Sequence, residues 1–261
     1  MAGDSQFCDR LRSLLPRLRN LSTGLKLNDR ICERVGTKRM AIEVETKDCT
    51  ALSDAELAEM ADLCTDSPNA FEVGQLSKQA EAWVLCTVAT EGGKVRGFSF
   101  CTLERIGGTP SVLVGAGHIC RNTKRDTVLR AVMTDQMRRA VLAFPDEDVL
   151  IGVQMNDPGA FEAFKSLDDI VPRPDHKASG EERAWGRRLA KRFGIGASVY
   201  EDRAFTARGD GSQAPVLDHE SSKPEKTDPA VADQFAHLDV DNGDTLIAFG
   251  WAMAEDLEKL L

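Results

Sequence analysis

The stretch GAGHICRNTKRDTVLRAVMTDQMRRAV, from Gly115 to Val141, passes from a short apolar segment through a polar loop into an amphipathic helix. Apolar residues recur at helical spacing from Val128 onward. The backbone amides at such a helix start bind phosphate in many proteins, and glycine lets the phosphate approach the backbone closely. Residues 118–133 contain no glycine but several cations. The stretch therefore predicts a strand, a loop and a helix, with side-chain charge at the helix start in place of glycine.

Three apolar runs joined by short turns lead into this stretch. AWVLCTVATEGGKVRGFSFCTLERI contains two of them, joined at Glu91-Gly92-Gly93, and GGTPSVLVGAGHI contains the third. Short turns join neighbouring antiparallel strands, so these runs predict a meander. After the helix, DVLIGVQM is a continuous apolar run, typical of a strand buried on both faces. A strand, a helix and a further strand form a crossover, which requires a parallel pair. The predicted fold class is mixed α/β, a mixed sheet with an antiparallel first half flanked by helices.

The chain divides into three predicted parts. Residues 1–39 form a basic N-terminal helical segment, residues 40–175 the α/β domain, and residues 176–261 a C-terminal extension. In the middle part, Ser53 and Glu56 form a capping box that begins a helix. The extension contains a helix, SGEERAWGRRLAKRFG, then a hairpin around Gly209-Asp210-Gly211 and an acidic tail. A length of 261 residues is compatible with one large domain with extensions and with two small domains.

Composition disfavours several classes of protein and of partner. With 42% hydrophobic and 29% charged residues, the chain is typical of a soluble globular protein. No apolar run approaches the roughly 20 residues that span a bilayer, and the start lacks a signal-peptide pattern. A cytoplasmic protein without a membrane partner is therefore expected. The net charge of −9 disfavours a nucleic-acid partner, and seven scattered cysteines without a C-x-x-C pair predict neither disulfides nor a metal site.

The order strand, helix, second helix, three antiparallel strands, helix, strand, helix resembles the GNAT superfamily of acyl-CoA-dependent N-acyltransferases. The resemblance covers about residues 40–171. In that superfamily the strand before the central helix ends in backbone amides that face the thioester. The following loop wraps the pyrophosphate of the cofactor, and the next strand splays away to admit the pantetheine arm. Here SVLVGAGHIC is similar to that strand, RNTKRD to the loop and DVLIGVQMND to the splayed strand.

The resemblance implies acetyl-CoA or another acyl-CoA as cofactor and assigns residues to it. The implied cofactor contacts are Ile119, Cys120, Arg121, Lys124, Arg125, Asp126, Thr127 and Asn156. Arg121, Lys124 and Arg125 would supply positive charge where the family has small residues. Asp126 is also a good helix cap that would satisfy the same amides and repel phosphate. The alternative is that Asp126 or Thr127 caps a purely structural helix.

The resemblance also implies a base that frees the attacking amine. Glu104, at the end of the second meander strand, and His118, at the end of the third, are the candidates. A solvated glutamate and a structural histidine are the alternatives, as is a water chain acting as base. Strand amides near residues 117–120 would hold the thioester oxygen. Phe164 stands where the family has a tyrosine acid, and Cys120 is either a nucleophile or a buried thiol.

Two functions follow from this resemblance. The first is transfer of an acyl group from acyl-CoA to an amine that the sequence does not identify. The alternative is a catalytically inactive GNAT-like module that serves in binding or assembly. An α/β protein of another family with the same order of elements is the third interpretation. A homo-oligomer is compatible with the sequence, which carries no motif that sets the oligomeric state.

Overall fold

The computed structural model describes residues 41–67, 70–164, 166–217 and 227–261. The predicted N-terminal helical segment, residues 1–39, lies outside the described residues. The strands are β1 (Ile42–Asp48), β2 (Leu85–Glu91), β3 (Lys94–Ile106), β4 (Thr109–Ile119), β5 (Val149–Met155), β6 (Asp168–Val171), β7 (Tyr200–Glu201), β8 (Thr206–Ala207) and β9 (Thr245–Ala252). The α-helices are α1 (Asp54–Cys64), α2 (Val73–Ala82), α3 (Arg125–Ala143), α4 (Gly159–Phe164), α5 (Gly180–Arg192), α6 (Pro229–Asp233) and α7 (Ala254–Glu258).

The strands form one sheet in the order β1-β2-β3-β4-β5-β9-β8-β7, and β6 also pairs with β9. Strands β1 to β4 are antiparallel throughout, as the short turns between β2, β3 and β4 require. Strands β4 and β5 are parallel and are connected through the crossover helix α3. The predicted mixed α/β class, with an antiparallel first half of the sheet, is confirmed.

The predicted C-terminal extension contributes an interior strand. Strand β9 pairs with β5 along its whole length, from Val149 opposite Ala252 to Met155 opposite Leu246. Its other edge pairs with β6 and β8. All seven residues of β5 are buried, as its continuous apolar run predicts. Residues on both sides of position 175 therefore share one hydrophobic core.

The hairpin of the extension lies earlier in the chain than predicted. Its strands are β7 and β8, and its turn ends at Phe205, which has a φ of +57°. Gly209 and Gly211 do not turn the chain back on itself. Their amides donate instead to the side chain of Asp244, at 2.8 Å, and to the carbonyl of Asn242, at 2.9 Å. Gly209 and Gly211 thus contact the loop before β9 and do not form the turn of the hairpin.

Helices cover both faces of the first four strands. In β2, Cys86 and Val88 pack with α1 and α2, whereas Ala89 lies on the opposite face with α3. The predicted capping box begins α1, because Ser53 accepts from the amide of Glu56 while the Glu56 carboxylate accepts from the amide of Ser53. Within the described ranges, no helix has both the length and the apolar character needed to cross a membrane.

Candidate functional site

The candidate site is the cleft that opens where β4 and β5 part. The two strands pair only from Ser111–Leu150 to Val114–Val153. Beyond Val114, β4 keeps its antiparallel partner β3, while β5 continues against β9. The two strands therefore separate beyond Val114 because β3 holds the far edge of β4 and β9 holds the far edge of β5. It is the arrangement that the resemblance implies for the splayed strand.

A β-bulge in β4 lies at the mouth of this cleft. Ser99 pairs with Gly117 and Cys101 with Val114, so a step of two residues on β3 faces a step of three on β4. The extra residue redirects the backbone groups of β4. A Cβ atom on Gly115 would lie 2.4 Å from the Trp83 ring, and one on Gly117 would lie 2.5 Å from the Phe98 carbonyl. Both positions therefore require glycine for close packing of neighbouring groups.

The chain itself occupies the β4 side of the cleft. Residues 213–217, which we call the cleft segment, run beside β4. The amide of Gly117 donates to the carbonyl of Val216 at 3.3 Å, and Gly117 pairs with Leu217 in a parallel bridge. Val216 is 1% exposed and Leu217 is 0% exposed. Leu217 packs in the same hydrophobic cluster as Ile119, in β4, and Val128, in α3.

Polar contacts hold the chain on the way into this segment. The amide of Gly211 donates to the carbonyl of Asn242 at 2.9 Å. Gln213 accepts from the side chain of Gln75 on α2 at 3.2 Å. Sequence reasoning missed the segment, and its only local signal is a short apolar run, Ala214 to Leu217, in a polar region.

Helix α3 starts two or three residues earlier than predicted. The helix begins at Arg125 and its N-cap is Lys124, so neither Asp126 nor Thr127 caps it. The cause is Asn122, whose side-chain oxygen accepts from the amide of Lys124 at 2.7 Å and whose carbonyl accepts from the amide of Arg125 at 3.2 Å. Because this turn starts the helix at Arg125, Asp126 lies inside the first helical turn and not at the N-cap position. Asp126 and Thr127 are exposed in the first turn of the helix.

Two of the three predicted phosphate-binding cations are engaged by carboxylates. Lys124 forms an ion pair with Glu91 at the end of β2, and Arg96 lies 3.2 Å from the same carboxylate. The Lys124 ammonium beside Glu91 holds the pKa of that carboxyl below its ordinary value. Arg125 lies 3.8 Å from the carboxylate of Asp126. Arg121 is exposed to solvent.

The two candidate bases lie far apart. Glu104 pairs with Ser111 and His118 with Phe98, so they stand at opposite ends of the β3–β4 ladder. At about 3.4 Å per residue, and with one residue in the bulge, they are roughly 20 Å apart. The Glu104 carboxylate accepts from the Arg192 guanidinium of α5 at 2.8 Å. His118 is 2% exposed and, by alternation with Ile119, lies on the opposite face from α3.

The other residues that the resemblance singles out do not form a common site. Asn156 follows β5 directly and is half-buried. Phe164 is 3% exposed within the main hydrophobic cluster. Cys120 is half-buried, and its amide donates to the carbonyl of Arg96 at 2.8 Å. The chain has one tyrosine, Tyr200 on β7, which packs against α5 and not in the cleft.

The described cleft does not fit acyl-CoA. The Gly117 amide that faces the gap already donates to Val216, and Leu217 occupies the apolar space below α3. The loop lacks the glycines that admit a pyrophosphate, and Lys124 is paired with Glu91. In the part of the chain that the structure describes, no group of three His, Cys, Asp or Glu side chains could hold a metal ion.

No protein-family model matches this sequence, and no curated protein does either. The solved structures similar to it include the ribosomal-protein-S18-alanine N-acetyltransferase from Escherichia coli, at 10% identity and a TM-score of 0.37, covering 53% of this chain and 86% of that one. An acyl-CoA N-acyltransferase from Pseudomonas aeruginosa is 14% identical, with a TM-score of 0.34, covering 48% and 84%. An aminoglycoside N-acetyltransferase in complex with CoA is 11% identical, with a TM-score of 0.35, covering 49% and 84%. The antiparallel β1–β4 meander, the α3 crossover and the parting of β4 from β5 agree with the order of elements on which the resemblance to the GNAT superfamily rests.

Proposed function

We propose that this protein is a GNAT-fold module that acts by binding or assembly, and that its β4–β5 cleft does not take up acyl-CoA. The observation that carries the proposal is the cleft segment. Burial of Val216 and Leu217 and the Gly117–Val216 hydrogen bond use the space and the amide that a pantetheine arm would need. The engaged Lys124 and the absence of glycine from the loop support the same conclusion.

Acyl transfer from acyl-CoA to an amine is the second candidate function. The parting of β4 from β5 favours it, because it is the feature that the resemblance implies for admitting a pantetheine arm. For acyl-CoA to bind in the cleft, the cleft segment must first detach from β4 and α3. Exposing Val216 and Leu217 costs about 3–6 kcal/mol, which weakens the apparent affinity for a competing ligand by roughly two to four orders of magnitude.

Calorimetric titration with acetyl-CoA separates the two candidates. The unaltered protein is compared with a Val216→Ser plus Leu217→Ser variant, which weakens the cleft segment, and with Leu142→Ser, an exposed leucine of α3 that is 71% accessible. The binding module predicts no heat of binding at millimolar ligand for any of the three proteins. Binding by the double variant alone would instead indicate a transferase closed by its own segment. Binding by the unaltered protein would overturn the proposal outright.

A further titration tests the helix start if binding occurs. An Arg121→Ala plus Arg125→Ala variant removes two cations from the loop and from the start of α3. If these cations replace the missing glycines, the variant loses acetyl-CoA affinity in the background that binds. Unchanged affinity would show that the pyrophosphate lies elsewhere.

A further inference from the structure

A second cavity, separate from the cleft, lies beside the start of α5. Its volume is about 590 Å³. It is bounded by the loop that follows β6, by the first turn of α5 and by the β7–β8 turn. Its lining residues are Pro172, His176, Lys177, Ala178, Arg183, Arg203 and Phe205. None of them belongs to β4, to β5 or to the cleft segment.

The floor of this cavity is apolar and firmly held. Phe205 is 1% exposed, and its ring lies 6.4 Å from that of Phe249, measured between centroids. Its backbone carbonyl accepts from the amide of Ile247 at 2.8 Å, which ties the floor to β9. Pro172 and Ala178 are half-buried beside it. Phe205 is thus closed off from solvent, and Pro172 and Ala178 are the apolar lining residues that a ligand can contact.

The rim of the cavity is cationic. Among the described residues, the charged side-chain nitrogens of Lys177, Arg183 and Arg203 have no ion-pair partner within 4.0 Å. The nearest carboxylate contact is made by the backbone of Arg203, whose amide donates to Glu201 at 3.2 Å. Arg183 donates through Nε to the carbonyl of Ser179 at 3.3 Å, and this bond leaves its two terminal nitrogens available. Three like charges around one concave surface raise the local positive potential and attract an anion.

The nearby carboxylate and the helix start are both satisfied within the protein. Glu182 accepts from the ring of His176 at 2.8 Å and from the amide of Ser179 at 2.6 Å. The amide of Glu182 in turn donates to the Ser179 hydroxyl at 3.1 Å. The capping box thus engages the amides of Ser179 and Glu182, and the side-chain cations are the charged groups that remain to meet a ligand. Arginine forks suit carboxylate, sulfonate and phosphate oxygens.

We infer that this cavity is a binding site for an organic anion with an apolar body, held by Arg183, Arg203 and Lys177 at its charged end and by Pro172 and Ala178 at the other. A carboxylate, a sulfonate or a phosphate monoester that carries an aromatic or aliphatic group has this chemistry. The inference does not depend on the proposed function, because it involves no residue of the cleft.

Titration of the full chain with 1-naphthalenesulfonate tests the site, with sodium sulfate and 1-naphthalenemethanol as probes of charge alone and of the apolar group alone. We expect one molecule of the sulfonate to bind, more tightly than either simpler probe and less tightly at high salt. An Arg183→Gln plus Arg203→Gln variant should weaken binding at least tenfold. The matched control is Arg188→Gln on the same helix, because the Arg188 guanidinium lies over Trp185, 4.7 Å from the ring centroid.

A charge reversal at an exposed position keeps the test decisive if the double variant fails to fold. Lys177 is exposed, so Lys177→Glu leaves packing intact while it places a negative charge at the rim. This variant should also weaken sulfonate binding. The proposal is overturned if the unaltered protein does not bind 1-naphthalenesulfonate, or if the affinity is the same in Arg188→Gln, in Lys177→Glu and in the folded double variant.

Discussion

At the scale of single residues, Leu217 decides how firmly the cleft is closed. Its side chain is fully buried below α3, yet its segment is joined to β4 by one parallel bridge. Truncation of a buried leucine to alanine costs about 2–5 kcal/mol of unfolding free energy in a fixed core. We expect Leu217→Ala to cost about 2 kcal/mol, at the low end, because a short segment can detach without global unfolding.

Urea denaturation measures this difference, with Leu142→Ala as the control. Leu142 is also a leucine, but 71% of it is exposed, so its truncation should change the unfolding free energy by less than about 0.5 kcal/mol. If Leu217→Ala is as mild as the control, the cleft segment is not packed in solution as described.

Glu56 gives a residue-scale prediction on pH. The Lys47 ammonium, 2.6 Å from Glu56, together with the Ser53 amide and hydroxyl, lowers the pKa of the Glu56 carboxyl from 4.5 to about 2. A carboxyl whose pKa is lowered by folding stabilises the protein fully above its unfolded pKa, and this contribution is lost as the pH falls toward the folded pKa. The stability advantage of the unaltered protein over Glu56→Gln should therefore be complete at pH 7 and shrink below about pH 4.5.

Urea midpoints at pH 7 and pH 3 test this prediction. A Lys47→Gln variant serves as the control, since it removes the ion-pair partner of Glu56 and should itself reduce the difference in stability between the two pH values. An equal gap between the unaltered protein and Glu56→Gln at pH 7 and at pH 3 would contradict the ion-pair account.

At the scale of elements, the β4 bulge depends on Gly117. An added Cβ atom would lie 2.5 Å from the Phe98 carbonyl and 2.9 Å from both Ser99 Cα and a methyl group of Leu217. Because the nearest atoms are backbone, they cannot move aside easily, and Gly117→Ala should cost about 1–3 kcal/mol of unfolding free energy. Gly74→Ala is the matched control. Nothing lies within 4 Å of its Cβ position in α2, so alanine there should be neutral or stabilise by up to about 1 kcal/mol.

Thermal or urea melts of the two glycine variants report the result. Loss in Gly117→Ala together with no loss in Gly74→Ala supports the close approach of β3, β4 and the cleft segment. Equal stabilities would show that the bulge has room that the described geometry lacks.

Elements with a strong local pattern could be predicted from the sequence. The apolar run of β5, the short turns of the meander and the capping box of α1 each depend on neighbouring residues. The cleft segment could not be predicted, since its strand pairing is with Gly117, 100 positions earlier, and Pro215 interrupts any periodicity. The ion pair of Lys124 with Glu91 likewise depends on a contact across the sheet.

The large distance between the two candidate bases could have been predicted from the sequence. Antiparallel pairing places the end of the second meander strand beside the beginning of the third. Glu104 therefore lies beside Ser111, while His118 lies at the far end of β4. Both residues lie near the end of their strand, but the two strand ends are at opposite ends of the β3–β4 ladder.

At the scale of the whole molecule, β9 couples the predicted domain 40–175 to the predicted extension 176–261. Strand β5, buried at every position, lies between β4 and β9. A fragment of residues 40–175 would expose the β9 edge of this apolar strand, and such an edge invites pairing between chains. We expect the fragment to aggregate or to lack a cooperative transition, whereas the full chain unfolds with one.

Near-UV circular dichroism and urea melts of the fragment distinguish a dependent from an independent domain. Mixing the fragment with residues 176–261 during refolding should restore the near-UV signal, because the second fragment supplies β9 and the buried Trp185 of α5. This complementation controls for damage unrelated to the missing strand. A fragment 40–175 that is monomeric and melts cooperatively alone would show that the meander and crossover suffice for folding. In that case β9 would be an addition to a complete domain rather than part of its core.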